Sequence, residues 1–207
     1  MRHLWLTNVT FHRIVLRVDK EQKSALKKKG IFTLGEGKNI GLSQQDISRL
    51  VAAKDLTRVR RGIYLHPDAE LDRDVGFQIA FATFGPKSAI GGLSALYHYN
   101  LAEQVPGEIW VLVRPGTRTR LSGYKLIRTK TRLDKEIEDE KGYRIVSIER
   151  AVLEGLKFIT KIGERTAVKA ARQALANGQT TEGKLAKAAK ELGLASVLAK
   201  HLEIITP

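Results

Sequence analysis

Apolar positions recur at helical spacing near both ends of this chain and at strand spacing in its middle, and the clearest helical stripe is short. Ile47, Leu50 and Val51 fall at i, i+3 and i+4, one buried face of a helix. Ser43 stands just before it as an N-cap, and Asp46 lies three residues on, where a carboxylate favours the positive end of the helix. The helix starts at Gln44 and leaves Gln44, Gln45, Ser48, Arg49 and Ala52 on its outer faces. After Leu56 the pattern changes to Thr57 to Leu65, β-branched and aromatic residues around Gly62, which reads as a tight two-stranded wing. Upstream, residues 19–29 predict a helix ended by Gly30, with lysines in its last turn. Thr33 caps a second short segment over 34–40, weakened by Gly35 and Gly37, before Gly41 turns the chain. Helix, short helix, turn, helix and wing make a winged helix-turn-helix over residues 19–67.

Pro67-Asp68 marks a boundary. Beyond it, residues 71–84 predict a buried helix ended by Gly85-Pro86, and residues 88–99 another element with Leu93, Leu96 and Tyr97 at helical spacing. Strands are expected over 108–113, 124–128 and 143–146. Ser147 caps a helix over 148–158 with Ala151, Val152, Leu153 and Leu156 on its apolar face, and helices over 164–176, 182–192 and 194–205 follow. The expected class is α+β: an N-terminal winged helix-turn-helix, then a larger mixed α+β domain (68–207) with a helical C-terminal part. Residues 1–18 are an extension of unknown role, in which Phe11, Ile14 and Leu16 form a strand or short helix on the body.

Composition adds a partner. The net charge is +14, and so basic a chain usually meets a polyanion. Residues 1–66 hold 14 Lys and Arg against 5 acids, a balance of +9, whereas the remaining 141 residues hold 22 against 17, a balance of +5. The excess therefore gathers on the predicted head. Gln pairs with adenine and Arg with guanine through two edge atoms each, so Gln44, Gln45, Ser48 and Arg49, with Ser43 at the helix start, are candidate base readers in the major groove of double-stranded DNA. Lys54, Arg58, Arg60 and Arg61 are candidate phosphate contacts. One head covers one half-site, so a palindrome needs two copies side by side or a dimer. RNA is the alternative partner, although Tyr64 is the one aromatic in the wing that could stack on a base. No apolar run reaches the ~20 residues of a membrane span, and with no cysteine the expected location is cytoplasmic.

Catalytic chemistry finds little support. Asp139-x-Lys141 within Glu138 to Lys141 resembles the tail of a restriction-type nuclease motif, but its flanks are charged throughout, as in a solvated run. Ser94 and His98 stand at i and i+4 without an orienting carboxylate, and His98 reads better as a buried histidine. The five histidines show no metal spacing. No catalytic residue, metal or cofactor is expected; the nuclease remains an alternative.

Three segments together resemble a known family. Arg58 to Tyr64 (RVRRGIY), Ser94 to Leu101 (SALYHYNL) and Ser147 to Glu154 (SIERAVLE) are similar, in order along the chain, to the wing, the SAL-x-x-H-x-L element (here with His98 one place earlier) and the S-x-E-R-x-x-L-[DE] helix start of the AbiEi-type antitoxins of type IV toxin-antitoxin and abortive-infection systems. The likeness covers residues 19 to 200. It implies a transcriptional repressor of its own operon that binds promoter inverted repeats, takes part in phage defence, and counteracts a nucleotidyltransferase-type toxin without a stable complex. The first eighteen residues have no counterpart in that pattern.

Overall fold

The computed structural model describes residues 18–69 and 74–206, so the expected element around Phe11, Ile14 and Leu16 lies outside the described residues. The chain divides into two compact units, one ending at Ala69 and one beginning at Glu70.

The first unit runs α1 (Lys20–Lys29), β1 (Ile31–Thr33), α2 (Leu34–Asn39), α3 (Gln44–Ala52), β2 (Thr57–Arg60) and β3 (Ile63–Leu65). Each helix opens on a capping box: Asp19 with Gln22, Thr33 with Glu36, Ser43 with Asp46. These short helices could not stand alone in water, so the caps and the shared core set their ends. The strands form an antiparallel sheet in the order β1-β3-β2, with Phe32 opposite Tyr64 and their rings stacked 5.7 Å apart. Leu26, Phe32, Leu42, Ile47, Leu50, Leu56 and Tyr64 close the core. This is a winged helix, and β1, three residues too short to show a period, is the strand that the sequence pattern missed.

Gly37 weakens α2 by propensity yet is buried at the crossing with α3, where a Cβ would sit 2.7 Å from Ile47 Cδ1 and 3.5 Å from Phe32 Cε2. Glycine is present so that two helices can approach closely. Gly37→Val is expected to overpack this crossing and to cost about 1–3 kcal/mol in denaturant unfolding, with Gly37→Ala milder because Ile47 can turn its terminal methyl aside. Unchanged stability for the valine variant would mean that the crossing is looser than its distances.

The second unit runs α4 (Val75–Phe84), β4 (Ala89–Ile90), α5 (Gly92–His98), β5 (Ile109–Val113), β6 (Tyr124–Arg128), β7 (Ile137–Glu140), β8 (Tyr143–Val146), then α6 (Ile148–Lys157), α7 (Ile159–Ile162), α8 (Glu164–Ala176), α9 (Glu182–Leu192) and α10 (Ala195–Ile205). Its five-stranded mixed sheet has the order β6-β5-β4-β8-β7, with β5/β6 and β4/β8 parallel. Helix α4 packs on β4, β5 and β8, α5 joins β5 to α6, and α8, α9 and α10 all pack on α6. Helix α6 is consequently buried over seven consecutive residues, Arg150 to Leu156, far beyond the apolar face that its sequence shows.

That burial encloses two charges. Arg150 is fully buried; its Nε donates to Glu154 Oε1 at 2.9 Å, and Nη1 donates to the carbonyls of Arg132 and Lys135 at 2.8 and 2.6 Å. Burial pushes the Glu154 carboxyl up, and the Arg150 guanidinium pulls it back only in part. Ser147 caps the helix and donates to Glu136, and Glu149 accepts from the Thr180 hydroxyl at 2.8 Å. The SIERAVLE segment thus anchors the loop 129–136 and the start of α9 to the central helix.

Candidate nucleic-acid interface

Every candidate residue of the head belongs to α3, its N-cap, its exit or the wing. At 100° per residue, Gln44, Ser48, Ala52, Gln45 and Arg49 occupy one continuous arc of about 140° on α3, opposite the buried Ile47 and Leu50. All five are exposed. The Ser43 hydroxyl donates to Asp46 Oδ2 at 2.6 Å and accepts the Asp46 N–H at 3.1 Å, so Ser43 fixes where the helix begins while remaining exposed. Asp46 also lies 3.6 Å from Arg49 Nη1, which steers that guanidinium along the helix.

The approach of α3 is set from both ends. Gly41, at φ +86°, turns the chain into it, and Gln22 Nε2 of α1 donates to the Ile40 carbonyl at 3.1 Å, tying the turn to the first helix. At the exit, the N–H groups of Asp55 and Leu56 both donate to the Leu50 carbonyl, at 2.9 and 3.2 Å, and Lys54 between helix and wing takes a left-handed φ of 64° with its side chain exposed. Lys23 reaches Asp55 at 3.5 Å across the same corner.

The wing is short and fastened. Arg58 pairs with Tyr64 and Arg60 with Ile63, with a bulge at Val59 between them. Arg61 and Gly62 (φ +78°) make the tip, and the Gly62 carbonyl accepts the Leu34 N–H of α2 at 2.9 Å. Arg58 and Arg61 are exposed and Arg60 is half-buried. Glu36, which closes the cap of α2, is opposed by burial, but Lys29 at 2.8 Å and the Thr33 bonds outweigh it and hold its carboxyl below the usual range. Gln22 is a positioning residue that the sequence pattern does not reveal, and Gly37, which by propensity only weakens α2, is a second; a glycine within a capped helix is the signal that could have shown it.

The catalytic alternatives meet structural occupations. Glu138 to Glu140 are exposed, as expected of a solvated run, and lie on the edge strand β7, with Asp139 paired to Arg144 at 3.3 Å and Glu138 accepting from the Tyr99 hydroxyl at 3.0 Å. Ser94 Oγ accepts the Trp110 N–H at 2.9 Å, and His98, half-buried among Phe77, Tyr99 and Tyr143, lies 3.6 Å from Asp74. Among the described residues, no three His, Asp or Glu side chains gather as metal ligands, and no helix is long and apolar enough to cross a membrane.

Comparison with solved structures finds the RV2827C protein from Mycobacterium tuberculosis, at a TM-score of 0.54 and 11% identity over 85% of this chain and 75% of that one, a likeness of fold. No curated protein matches. Residues 19–67 match the family described as "Transcriptional regulator, AbiEi antitoxin", and this segment is the winged helix whose caps, arc and wing have just been traced. Over residues 19–67 the N-terminal unit is thus similar to the AbiEi-type transcriptional-regulator and antitoxin family.

Proposed function

We propose that this chain is a cytoplasmic, sequence-specific repressor of its own operon and the antitoxin of a type IV system, acting against a nucleotidyltransferase-type toxin without a stable complex. The observation that carries the DNA reading is the exposed Gln, Ser and Arg arc of α3, held at both ends and followed directly by an arginine wing. In this reading Gln44, Gln45, Ser48 and Arg49 meet base edges in the major groove, Ser43 sets the helix start, and Lys54, Arg58, Arg60 and Arg61 meet phosphates. Promoter inverted repeats are occupied by two copies. The family match supports the regulator and antitoxin roles, and the domain expected over residues 68–207 carries the antitoxin role in this proposal.

Two substitutions separate reading from holding. Arg49→Ala is expected to cost about 1–3 kcal/mol at one position of the operator and to relax specificity there. Lys54→Gly is expected to weaken all sequences alike and to flatten the salt dependence by about one unit, while stabilising the fold by up to about 1 kcal/mol, because glycine takes the positive φ without a Cβ penalty. Binding titrations on operator variants, paired with thermal melts, check both. Identical effects from the two variants would overturn the division of roles.

A further inference from the structure

The +5 balance of residues 67–207 is not spread over them. Residues 114–135 hold eight Lys and Arg against one acid, Asp134, and the rest of that region holds fourteen against sixteen. The whole excess of the second unit therefore sits in one stretch, which comprises the connection from β5 to β6, the strand β6, and the loop after it.

The fold makes this stretch a surface. Parallel neighbours are usually joined by a helical crossover that covers the sheet, but β5 and β6 are joined by the irregular segment 114–123. Its turns are held internally: Thr117 N–H donates to the Arg114 carbonyl at 3.0 Å, and Arg128 Nε of β6 donates to the Thr117 carbonyl at 2.9 Å. Arg118, Arg120 and Arg128 line an open concavity of about 800 Å³ with Pro115 and Thr119. Arg114, Arg118, Arg120 and Lys130 are exposed, and among the described residues none of them forms an ion pair. By contrast Lys125 lies over the Trp110 ring at 4.0 Å, and Arg132 pairs with Asp134. Unpaired cations gathered without intervening acids repel one another and are retained at a cost unless a polyanion meets them.

We propose that the β5–β6 crossover is a second nucleic-acid site, and that it takes the phosphodiester backbone of a folded RNA. Neither a helix nor a two-stranded ribbon projects from it, so it has nothing of the size that enters the DNA major groove. Its aromatic neighbours Trp110 and Tyr124 are buried, so it offers no stacking platform for a single strand. An irregular loop rich in arginine forks suits the phosphates and 2′-hydroxyls along the shallow groove of an A-form stem, recognised by shape rather than by sequence. The site belongs to the unit without the winged helix and does not depend on operator reading.

The test uses the full chain, a fluorescent RNA stem-loop, a DNA stem-loop of the same sequence, and the operator duplex. Arg118→Glu with Arg120→Glu is expected to lower RNA affinity tenfold or more and to flatten its salt dependence by about two units, leaving the operator unaffected. Arg118→Lys with Arg120→Lys is expected to keep the salt slope and lose part of the affinity, which separates charge from fork geometry and from misfolding. Arg58→Glu with Arg61→Glu is expected to do the reverse of the first pair, losing the operator and keeping RNA. RNA affinity unchanged by the Arg118/Arg120 pair, or an equal loss on RNA and both DNAs, would overturn the RNA site whatever happens at the wing.

Discussion

Replacing Arg150 by alanine is expected to destabilise the second unit by about 3–5 kcal/mol, because it strands the Glu154 carboxylate in a helix enclosed by α5, α8, α9 and α10. It also releases the carbonyls of Arg132 and Lys135, so the loop that follows β6 loses its hold on α6. Glu154 is 2% exposed, so without Arg150 its carboxylate is left desolvated with its charged partner gone. Arg150→Met combined with Glu154→Leu should recover most of the loss, since a buried pair is often replaced by apolar residues of similar volume at little net cost. Denaturant unfolding of the single and double variants measures the difference. A single variant within about 1 kcal/mol of the parent would mean that the pair is solvated in solution and that α6 is not the centre of the unit.

Reversing the charge of the exposed wing arginines, Arg58→Glu with Arg61→Glu, is expected to weaken operator binding by at least about a hundredfold near physiological salt, because two attractive phosphate contacts become repulsive. The fold should hold, since neither side chain belongs to the core built on Phe32, Ile47, Leu50 and Tyr64. Under the proposed division of labour this variant loses autorepression yet still neutralises the toxin when supplied from another promoter. Loss of both activities would place antitoxin action on the N-terminal head. Retention of both would remove the wing from the interface.

Much of the head was legible because its signals are local. Thr33 and Ser43 are recognisable as caps from their own neighbourhoods, and each closes a capping box in the structure. The apolar triplet Ile47, Leu50 and Val51 turned inward, although Val51 is only half-buried. What escaped was set by partners distant in sequence. Strand β1 exists because Ile31 to Thr33 pair with β3 some thirty residues on, and β7 reads as a charge run because only its pairing with β8 makes it a strand. Gly37 looked like a weakness in α2 until Ile47 was set against it. The Arg150 and Glu154 spacing is that of an ordinary surface ion pair, and four surrounding helices, not the spacing, bury it. The +5 balance of the C-terminal part averages over one basic stretch, residues 114–135, whose cations the flanking segments offset in part.

Under the proposed function the arc of α3 and its wing read one operator, and the decisive experiment is a mobility-shift titration of the purified chain on the DNA upstream of its own gene. Random duplex and a structured RNA serve as competitors, at a fixed salt concentration. The upstream DNA is expected to be preferred over random duplex by two or more orders of magnitude, with RNA failing to displace it from the head. Equal affinity for the upstream and random duplexes would contradict it, leaving the arginines of the wing as a general polyanion contact.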